Sequence, residues 1–309
     1  MKGLDLSRRY FHTHGEKMIA ARFPGYRDRI AVGLVGEGSE CFGFDDEISR
    51  DHDWGPGFCL WLAPDDFAAV GSALQAEYEK LPKKFENFQR LESFWGKSRV
   101  GVFETGAFYR RFLGLPHVPD DPLKWFYIPE ANLAACTNGR VFHDPCGKFS
   151  AIREGLLAFF PEDVRLAKIA LCCASAAQAG QYNLRRMIGR GQIFPAQYAV
   201  TKFSSEIIAL GFLLNRCFRP FYKWSHHAVR SLSLMGDFLY SRIEDLAVEP
   251  DMSKKMNLIE KISAAVIGSL RLEHLSTLDS DFLLDHANEI ARKISDPRVL
   301  ERIKPLGER

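Results

Sequence analysis

The sequence predicts an α/β (α+β) domain over residues 1–148, followed by an all-helical bundle domain over residues 149–309. In the first part, short apolar stretches with strand-like alternation take turns with segments of helical spacing. After about Lys148, the apolar residues recur at helical spacing throughout, with proline and glycine mostly between the segments. The chain has 309 residues, 46% of them hydrophobic, which is enough for two domains.

The predicted elements follow from this periodicity and from helix start and stop signals. Pro24-Gly25 ends the first helix, and Pro64-Asp65-Asp66 opens another with acidic residues in its first turn. The first domain is predicted to contain a helix over 6–23, a strand over 29–35, a strand that carries Asp51 and Asp53, its continuation over 58–62, a helix over 64–81, a strand over 99–105 and a helix over 108–113. Helices are predicted in the second domain over 150–159, 161–178, 196–217, 225–243, 256–270 and 279–294.

A glycine-rich stretch follows the first predicted strand. Gly38 and Ser39 would let backbone N–H groups and a hydroxyl approach a phosphate closely. The alternative is a tight turn that needs glycine, since isolated Gly-Ser pairs are common.

Two carboxylates come shortly afterwards. Asp51 and Asp53 would point to the same face if they lay on a strand, where both could bind one or two Mg²⁺ ions. The alternative is a solvated acidic loop, because Asp45, Asp46 and Glu47 lie just upstream. Together, the phosphate cradle and the carboxylate pair favour metal-assisted nucleotidyl transfer.

The spacing of these parts resembles a known signature. Gly38-Ser39, eleven residues and Asp51-His52-Asp53 are similar to the pattern of the DNA polymerase β-like nucleotidyltransferase superfamily. Gly43 matches the small-molecule branch that includes aminoglycoside nucleotidyltransferases, although His52 and Phe42 depart from its usual residues. Residues 139–144, 180–186 and 214–224 also resemble an uncharacterised bacterial family related to those enzymes.

The resemblance implies a nucleotidyltransferase domain with a mixed sheet, followed by a helical domain. It implies that Asp51 and Asp53 hold Mg²⁺, while Gly38 and Ser39 hold the β- and γ-phosphates of an NTP, expected to be ATP. The NMP would pass to a hydroxyl of an unidentified small-molecule acceptor, with release of pyrophosphate.

A third carboxylate would complete such a site. Glu104 lies within an apolar predicted strand, where an unpaired carboxylate would be costly, so a metal ion or a cation is expected near it. It is predicted to be a metal ligand or the base that deprotonates the acceptor hydroxyl. The alternative is a structural ion pair with Arg110 or Arg111.

Basic residues of the second domain offer further phosphate contacts. Arg185, Lys202 and Lys223 are predicted to bind the triphosphate, and Arg186, Arg190 and Arg219 are further candidates. Such charges are more often solvated helix faces, and the aromatic residues around Lys223 can simply pack together.

Composition limits the class of partner and the compartment. A net charge of +2 does not favour bulk nucleic-acid binding, so nucleic acid is not expected as a partner. Seven unevenly spaced cysteines give neither a disulfide framework nor a zinc pattern. The N-terminus is charged and lacks a long apolar run, which predicts a cytoplasmic protein with no membrane contact.

Two other function classes stay open at this point: a non-catalytic nucleotide-binding or interaction protein, and an RNA-directed transferase that acts on a tRNA end. A phosphohydrolase of the His-Asp metal type is disfavoured, because the ligands of that class generally lie on helices, whereas Asp51 to Asp53 and His143-Asp144 are predicted on or beside strands.

Overall fold

The computed structural model describes residues 1–94, 96, 98–304 and 306. The chain forms two compact units. The sheet unit comprises Met1–Pro119 and Pro129–Ala158, and the helical unit comprises Asp120–Ile128 and Phe159–Arg309. The predicted domains, 1–148 and 149–309, stay a prediction, because compactness within one structure does not show which parts fold alone.

The sheet unit contains all six strands of the described residues. They are β1 Ala31–Leu34, β2 Cys59–Leu62, β3 Lys84–Phe85, β4 Phe88–Gln89, β5 Gly101–Glu104 and β6 Arg140–His143. Its helices are α1 Gly3–Tyr10, α2 Glu16–Arg22, α3 Ser39–Phe42, α4 Pro64–Glu79, α5 Thr105–Leu113, α7 Glu130–Thr137 and α8 Lys148–Leu157. Helix α6, Pro122–Tyr127, belongs to the helical unit. A π-helical turn, Phe11–Gly15, joins α1 to α2, and short 3₁₀ helices cover Pro24–Arg29 and Ile48–Arg50.

Four strands form a mixed sheet in the order β5-β2-β1-β6. β1 is antiparallel to both β2 and β6, whereas β2 is parallel to β5. A separate hairpin pairs β3 with β4. The predicted combination of a mixed sheet with a helical region is confirmed.

The core of this unit lies on both faces of the sheet. Leu60 and Leu62 belong to a buried cluster that includes residues of the N-terminal helices, such as Phe11. Because side chains alternate along a strand, Trp61 points to the other face, where its ring stacks on Phe149 with centroids 3.8 Å apart. Gly33 permits close strand packing, since a Cβ there would lie 2.5 Å from the Arg140 carbonyl oxygen.

Within its described residues, the helical unit contains helices and their connections only. They are α6 Pro122–Tyr127, α9 Glu162–Ala176, α10 Leu184–Gly189, α11 Ile193–Leu214, α12 Tyr222–Val229, α13 Gly236–Val248, α14 Met252–Leu272, α15 Leu283–Ala291 and α16 Pro297–Arg302. A π-helical segment, Ala177–Asn183, joins α9 to α10. Across the described part of the chain, no helix has the length and apolar character needed to cross a bilayer.

One predicted helix, 225–243, is two helices in the structure. Met235 precedes α13 with a φ of 64°, so the chain cannot continue helically through it. The next residue must be small, because a Cβ on Gly236 would lie 2.8 Å from the Val229 carbonyl oxygen. The sequence prediction missed this break because apolar residues continue across it.

Candidate functional site

The glycine-rich turn lies where β1 ends. Gly36 has a φ of 143°, a conformation that favours glycine, and Gly38 immediately precedes the short helix α3. Ser39 is half-buried, and its hydroxyl has no hydrogen-bond partner among the described residues. The structure therefore confirms the predicted strand followed by a glycine turn, and it leaves a hydroxyl available beside that turn.

Asn138 fixes this turn from a distant part of the chain. The Gly36 N–H donates to Asn138 Oδ1 at 3.0 Å, and Asn138 Nδ2 donates to the Gly36 carbonyl at 2.7 Å. The next residue, Gly139, donates its N–H to the Cys41 carbonyl at 2.8 Å. Both contacts are possible because β6, which Asn138-Gly139 precedes, pairs with β1.

Glu40 packs under the turn. Its side chain is buried, and its carboxylate atoms lie 2.3–2.5 Å from the position that a Cβ on Gly38 would take. Burial raises the pKa of Glu40, and the charges of Arg90 and Arg99 oppose that shift only in part. Glycine is therefore required at position 38 by the close contact with Glu40, and its lack of a side chain also suits the approach of a phosphate.

Two arginines face the turn, one just before β5 and one on α5. Arg99 and Arg111 line a small pocket together with Gly36, Glu37 and Gly38. Arg111 forms an ion pair with Glu37 and also donates to the Ser98 carbonyl at 3.1 Å. The turn is thus bordered by two guanidinium groups, which are suited to phosphate oxygens.

Some buried arginine nitrogens have no protein partner. Arg90 is 8% exposed at its side chain, and its Nε lies 3.8 Å from Glu92, beyond hydrogen-bond distance. Within the described chain, Nε and Nη2 of Arg90 and Nε of Arg99 are buried without a hydrogen bond. Unsatisfied buried donors of this kind are costly, so an anion close to them would be stabilised.

Asp53 is connected to the same arginine. Its side chain is 2% exposed, and it accepts hydrogen bonds from the Ser93 N–H at 2.8 Å and the Ser93 hydroxyl at 2.6 Å. Arg99 Nη1 lies 3.8 Å from Asp53 Oδ2. Burial would raise the pKa of Asp53, but the Ser93 hydrogen bonds and the Arg99 charge outweigh it and lower that pKa.

The prediction that Asp51 and Asp53 lie on a strand is wrong. Residues 51–53 form a bend before β2, and Asp53 has a φ of 55°, so the two side chains do not share a strand face. Asp51 is 64% exposed and lies 2.8 Å from His52 Nδ1. The prediction failed because the glycines and proline at 55–57 delay the start of the strand to Cys59.

Glu104 begins a helix. It is the last residue of β5, and its carboxylate caps α5 by accepting hydrogen bonds from Gly106 N at 2.5 Å and Ala107 N at 2.7 Å. Arg111, one of its predicted partners, pairs with Glu37 instead. Over residues 1–94, 96, 98–304 and 306, no three His, Cys, Asp or Glu side chains lie close enough to hold a metal ion.

The basic residues predicted to contact the triphosphate all belong to the helical unit. Arg185 and Lys202 are exposed on α10 and α11. Lys223 is exposed on α12, with its Nζ 4.8 Å from the centre of the Trp224 ring. Their contact with a triphosphate stays a prediction.

Sequence reasoning did not identify Arg90, Arg99 or Asn138 as parts of the site. Asn138 is 102 residues from Gly36, and only strand pairing brings the two together. Arg99 carried a weaker signal, as a cation at the start of an apolar strand, but nothing in the sequence indicated which turn it would face.

Comparisons with known proteins give limited matches. A family model described as a domain of unknown function, DUF4037, matches residues 125–225. The chain is also similar to the crystal structure of a nucleotidyltransferase-like protein from Exiguobacterium sibiricum 255-15, at 11% identity and a TM-score of 0.40. That similarity covers 97% of this chain and 88% of the other. No curated protein matches.

Proposed function

We propose that the protein is a Mg²⁺-dependent nucleotidyltransferase that moves an NMP from an NTP to a hydroxyl of a small-molecule acceptor and releases pyrophosphate. The observation that carries this proposal is the meeting of the glycine turn with Arg99, which also pairs with Asp53 of the Asp-x-Asp motif. One guanidinium thus links the proposed phosphate site to the proposed metal site.

The triphosphate would lie against Gly36 to Ser39. Backbone N–H groups and the Ser39 hydroxyl would contact the β- and γ-phosphates, and Arg99 and Arg111 would neutralise their charge. The unpartnered Nε of Arg99, which lines the pocket beside this turn, supports an anion at this position. Arg185, Lys202 and Lys223 are proposed as additional triphosphate contacts.

The donor chemistry of Asp51 and Asp53 fits Mg²⁺. This ion is commonly held at nucleotide sites by one or two carboxylates, with phosphate oxygens and water as its other ligands. Glu104 is proposed as a third ligand or as the base. When bound, the ion would offset charge that develops on the transferring phosphoryl group.

The chain's own residues would act mainly by positioning. Asn138 holds the turn through Gly36, and Asp53 is kept ionised by Ser93 and Arg99. A fixed phosphate cradle with charged partners lowers the barrier to transfer because few groups must reorganise during the reaction.

The direct test is pyrophosphate release from each of the four NTPs in the presence of Mg²⁺, against a panel of small hydroxylated metabolites, aminoglycosides and tRNA. We expect release with at least one small acceptor and its loss in Asp51→Asn. Release only with tRNA would identify an RNA-directed transferase instead.

One observation favours a second candidate, a non-catalytic nucleotide-binding protein. The Asp53 carboxylate already accepts two hydrogen bonds from Ser93, and Glu104 already caps a helix, so both would have to change partners to bind a metal. NTP binding without pyrophosphate release from any of the panel would support this candidate.

A further inference from the structure

The helical unit carries an exposed surface that combines cations with aromatic rings. We call it the basic–aromatic face. Its residues are Tyr182, Arg186, Arg190, Phe194, Tyr198 and Lys202. The sequence contains no acidic residue between Asp163 and Glu206, and Glu206, one turn beyond Lys202 on α11, is the first acid to follow the face.

The face is built from two rows with the same spacing. Tyr182, Arg186 and Arg190 follow one another at four-residue intervals along the end of the π-helical segment and α10. Phe194, Tyr198 and Lys202 do the same along α11, which packs against α10. Residues four apart on a helix are neighbours, so each row places an aromatic ring one turn from a cation.

Exposure makes this face unusual. Phe194 is 80% exposed, Tyr198 63% and Tyr182 52%, although large aromatic side chains normally bury most of their area. The Arg186 guanidinium lies 5.0 Å from the centre of the Tyr182 ring. Within the described part of the chain, none of Arg186, Arg190 and Lys202 has an ion-pair partner, so all three charges are available to a ligand.

We propose that the basic–aromatic face binds single-stranded RNA. Exposed rings offer stacking surfaces for unpaired bases, and neighbouring cations contact the backbone phosphates. Single-stranded RNA is favoured over an anionic membrane because each row sets aromatic rings beside cations, and Ile193, 73% exposed next to Phe194, is the one strongly exposed aliphatic side chain between Tyr182 and Lys202. The net charge of +2 does not argue against this local site, since that charge is a sum over the whole chain and residues 164–205 carry basic residues but no acidic ones.

The test uses the full chain and a fluorescein-labelled, unstructured 12-nucleotide RNA, with binding followed by anisotropy over a series of salt concentrations. We expect Phe194→Ala and Tyr198→Ala each to weaken binding by about 5- to 100-fold. Arg190→Gln and Lys202→Gln should each reduce the slope of log affinity against log salt by about 0.7. A 12-base-pair RNA duplex should bind more weakly than the single strand.

The matched controls lie elsewhere on the helical unit. Lys261→Gln and Phe238→Ala remove an exposed cation and an exposed aromatic ring outside the face, and both should leave RNA binding unchanged. Thermal melts of all variants would show that the fold is kept.

Three outcomes would overturn the proposal. The first is no RNA binding at low salt, and the second is equal RNA affinity of the wild type and the aromatic variants. The third is wild-type binding to phosphatidylserine vesicles that the aromatic variants lose, without any RNA binding. Weaker NTP binding by Lys202→Gln with RNA binding unchanged would instead assign this residue to the triphosphate. The inference does not depend on nucleotidyl transfer, because pyrophosphate release is not part of the measurement.

Discussion

The Asn138 side chain hydrogen-bonds both backbone polar groups of Gly36, accepting from its N–H at 3.0 Å and donating to its carbonyl at 2.7 Å. The φ of 143° at Gly36 means that few other residues could adopt this backbone conformation. A side-chain amide can donate from its nitrogen and accept at its oxygen at the same time. The contact therefore fixes the shape of the proposed phosphate cradle.

Asn138→Ala should weaken NTP binding. The variant leaves the Gly36 N–H and carbonyl without partners and should lower the free energy of unfolding by about 1–3 kcal/mol. Calorimetric titration with a non-hydrolysable NTP and Mg²⁺ would measure the affinity, and urea unfolding would measure stability.

Asn215 provides the matched control. It makes a similar set of contacts in the helical unit, donating to the Gly211 carbonyl at 2.7 Å and accepting from Leu234 N at 2.8 Å. Asn215→Ala should therefore cost comparable stability without changing NTP affinity. Equal loss of affinity in both variants would show that the effect of Asn138 is only general destabilisation.

Gly38→Ala should reduce both stability and NTP affinity. The new Cβ would lie 2.3–2.5 Å from the Glu40 carboxylate, so Glu40 must move within its buried site or the turn must open. Ser39→Ala should weaken NTP binding only modestly, because it removes one hydroxyl contact. Gly25→Ala is the control, since nothing lies within 4 Å of its added Cβ. An NTP affinity unchanged by Gly38→Ala would place the phosphates elsewhere.

The sequence predicted the strand before Gly38 and most helices correctly because these elements have clear periodicity and stop signals. It did not predict the geometry of Asp51 and Asp53, which depends on a bend stabilised from outside. The N–H of Asp53 donates to the Leu91 carbonyl at 2.6 Å, and its carboxylate accepts from Ser93. Contacts across about forty residues leave no local pattern, and the same holds for Asn138 with Gly36.

The two aspartates should differ in stability and agree in activity. Asp51→Asn and Asp53→Asn should each lower pyrophosphate release by at least about 100-fold if both hold Mg²⁺. Only Asp53→Asn should lower the melting temperature, since Asp53 is buried against Ser93 and Arg99 while Asp51 is exposed. Glu47→Gln, an exposed acid in the same loop, should change neither quantity. Normal turnover by either aspartate variant would contradict the metal assignment.

Stability at acidic pH should depend on Glu289. Hydrogen bonds from Ser276 and Thr277 lower the pKa of Glu289 from 4.5 to about 2. A carboxyl group with a lowered pKa stabilises the fold above its unfolded pKa, and this contribution is lost as the pH falls from about 4.5 toward about 2. Glu289→Gln should therefore melt at a lower temperature than the wild type at neutral pH, and the gap should narrow below pH 4.5.

The exposed Glu301→Gln is the control for this measurement and should follow the wild type at every pH. A melting-temperature gap for Glu289→Gln that stays constant from pH 7 to pH 2 would contradict the assigned pKa shift.

Glu104→Gln separates a structural role from a catalytic one. As a helix cap, Glu104 accepts from two backbone N–H groups at the start of α5, and its replacement should cost about 0.5–2 kcal/mol of stability. If it is also a metal ligand, the Mg²⁺ concentration for half-maximal pyrophosphate release should rise, because one negative charge leaves the site. If it is the base, Mg²⁺ demand should stay constant while the chemical step slows and the acidic limb of the pH–rate profile disappears.

Asp121, which caps α6 through Leu123 N at 2.9 Å, gives the matched control. Asp121→Asn should change none of these kinetic quantities, and a Glu104→Gln variant that matches it in Mg²⁺ demand, rate and pH profile would leave Glu104 as a helix cap alone.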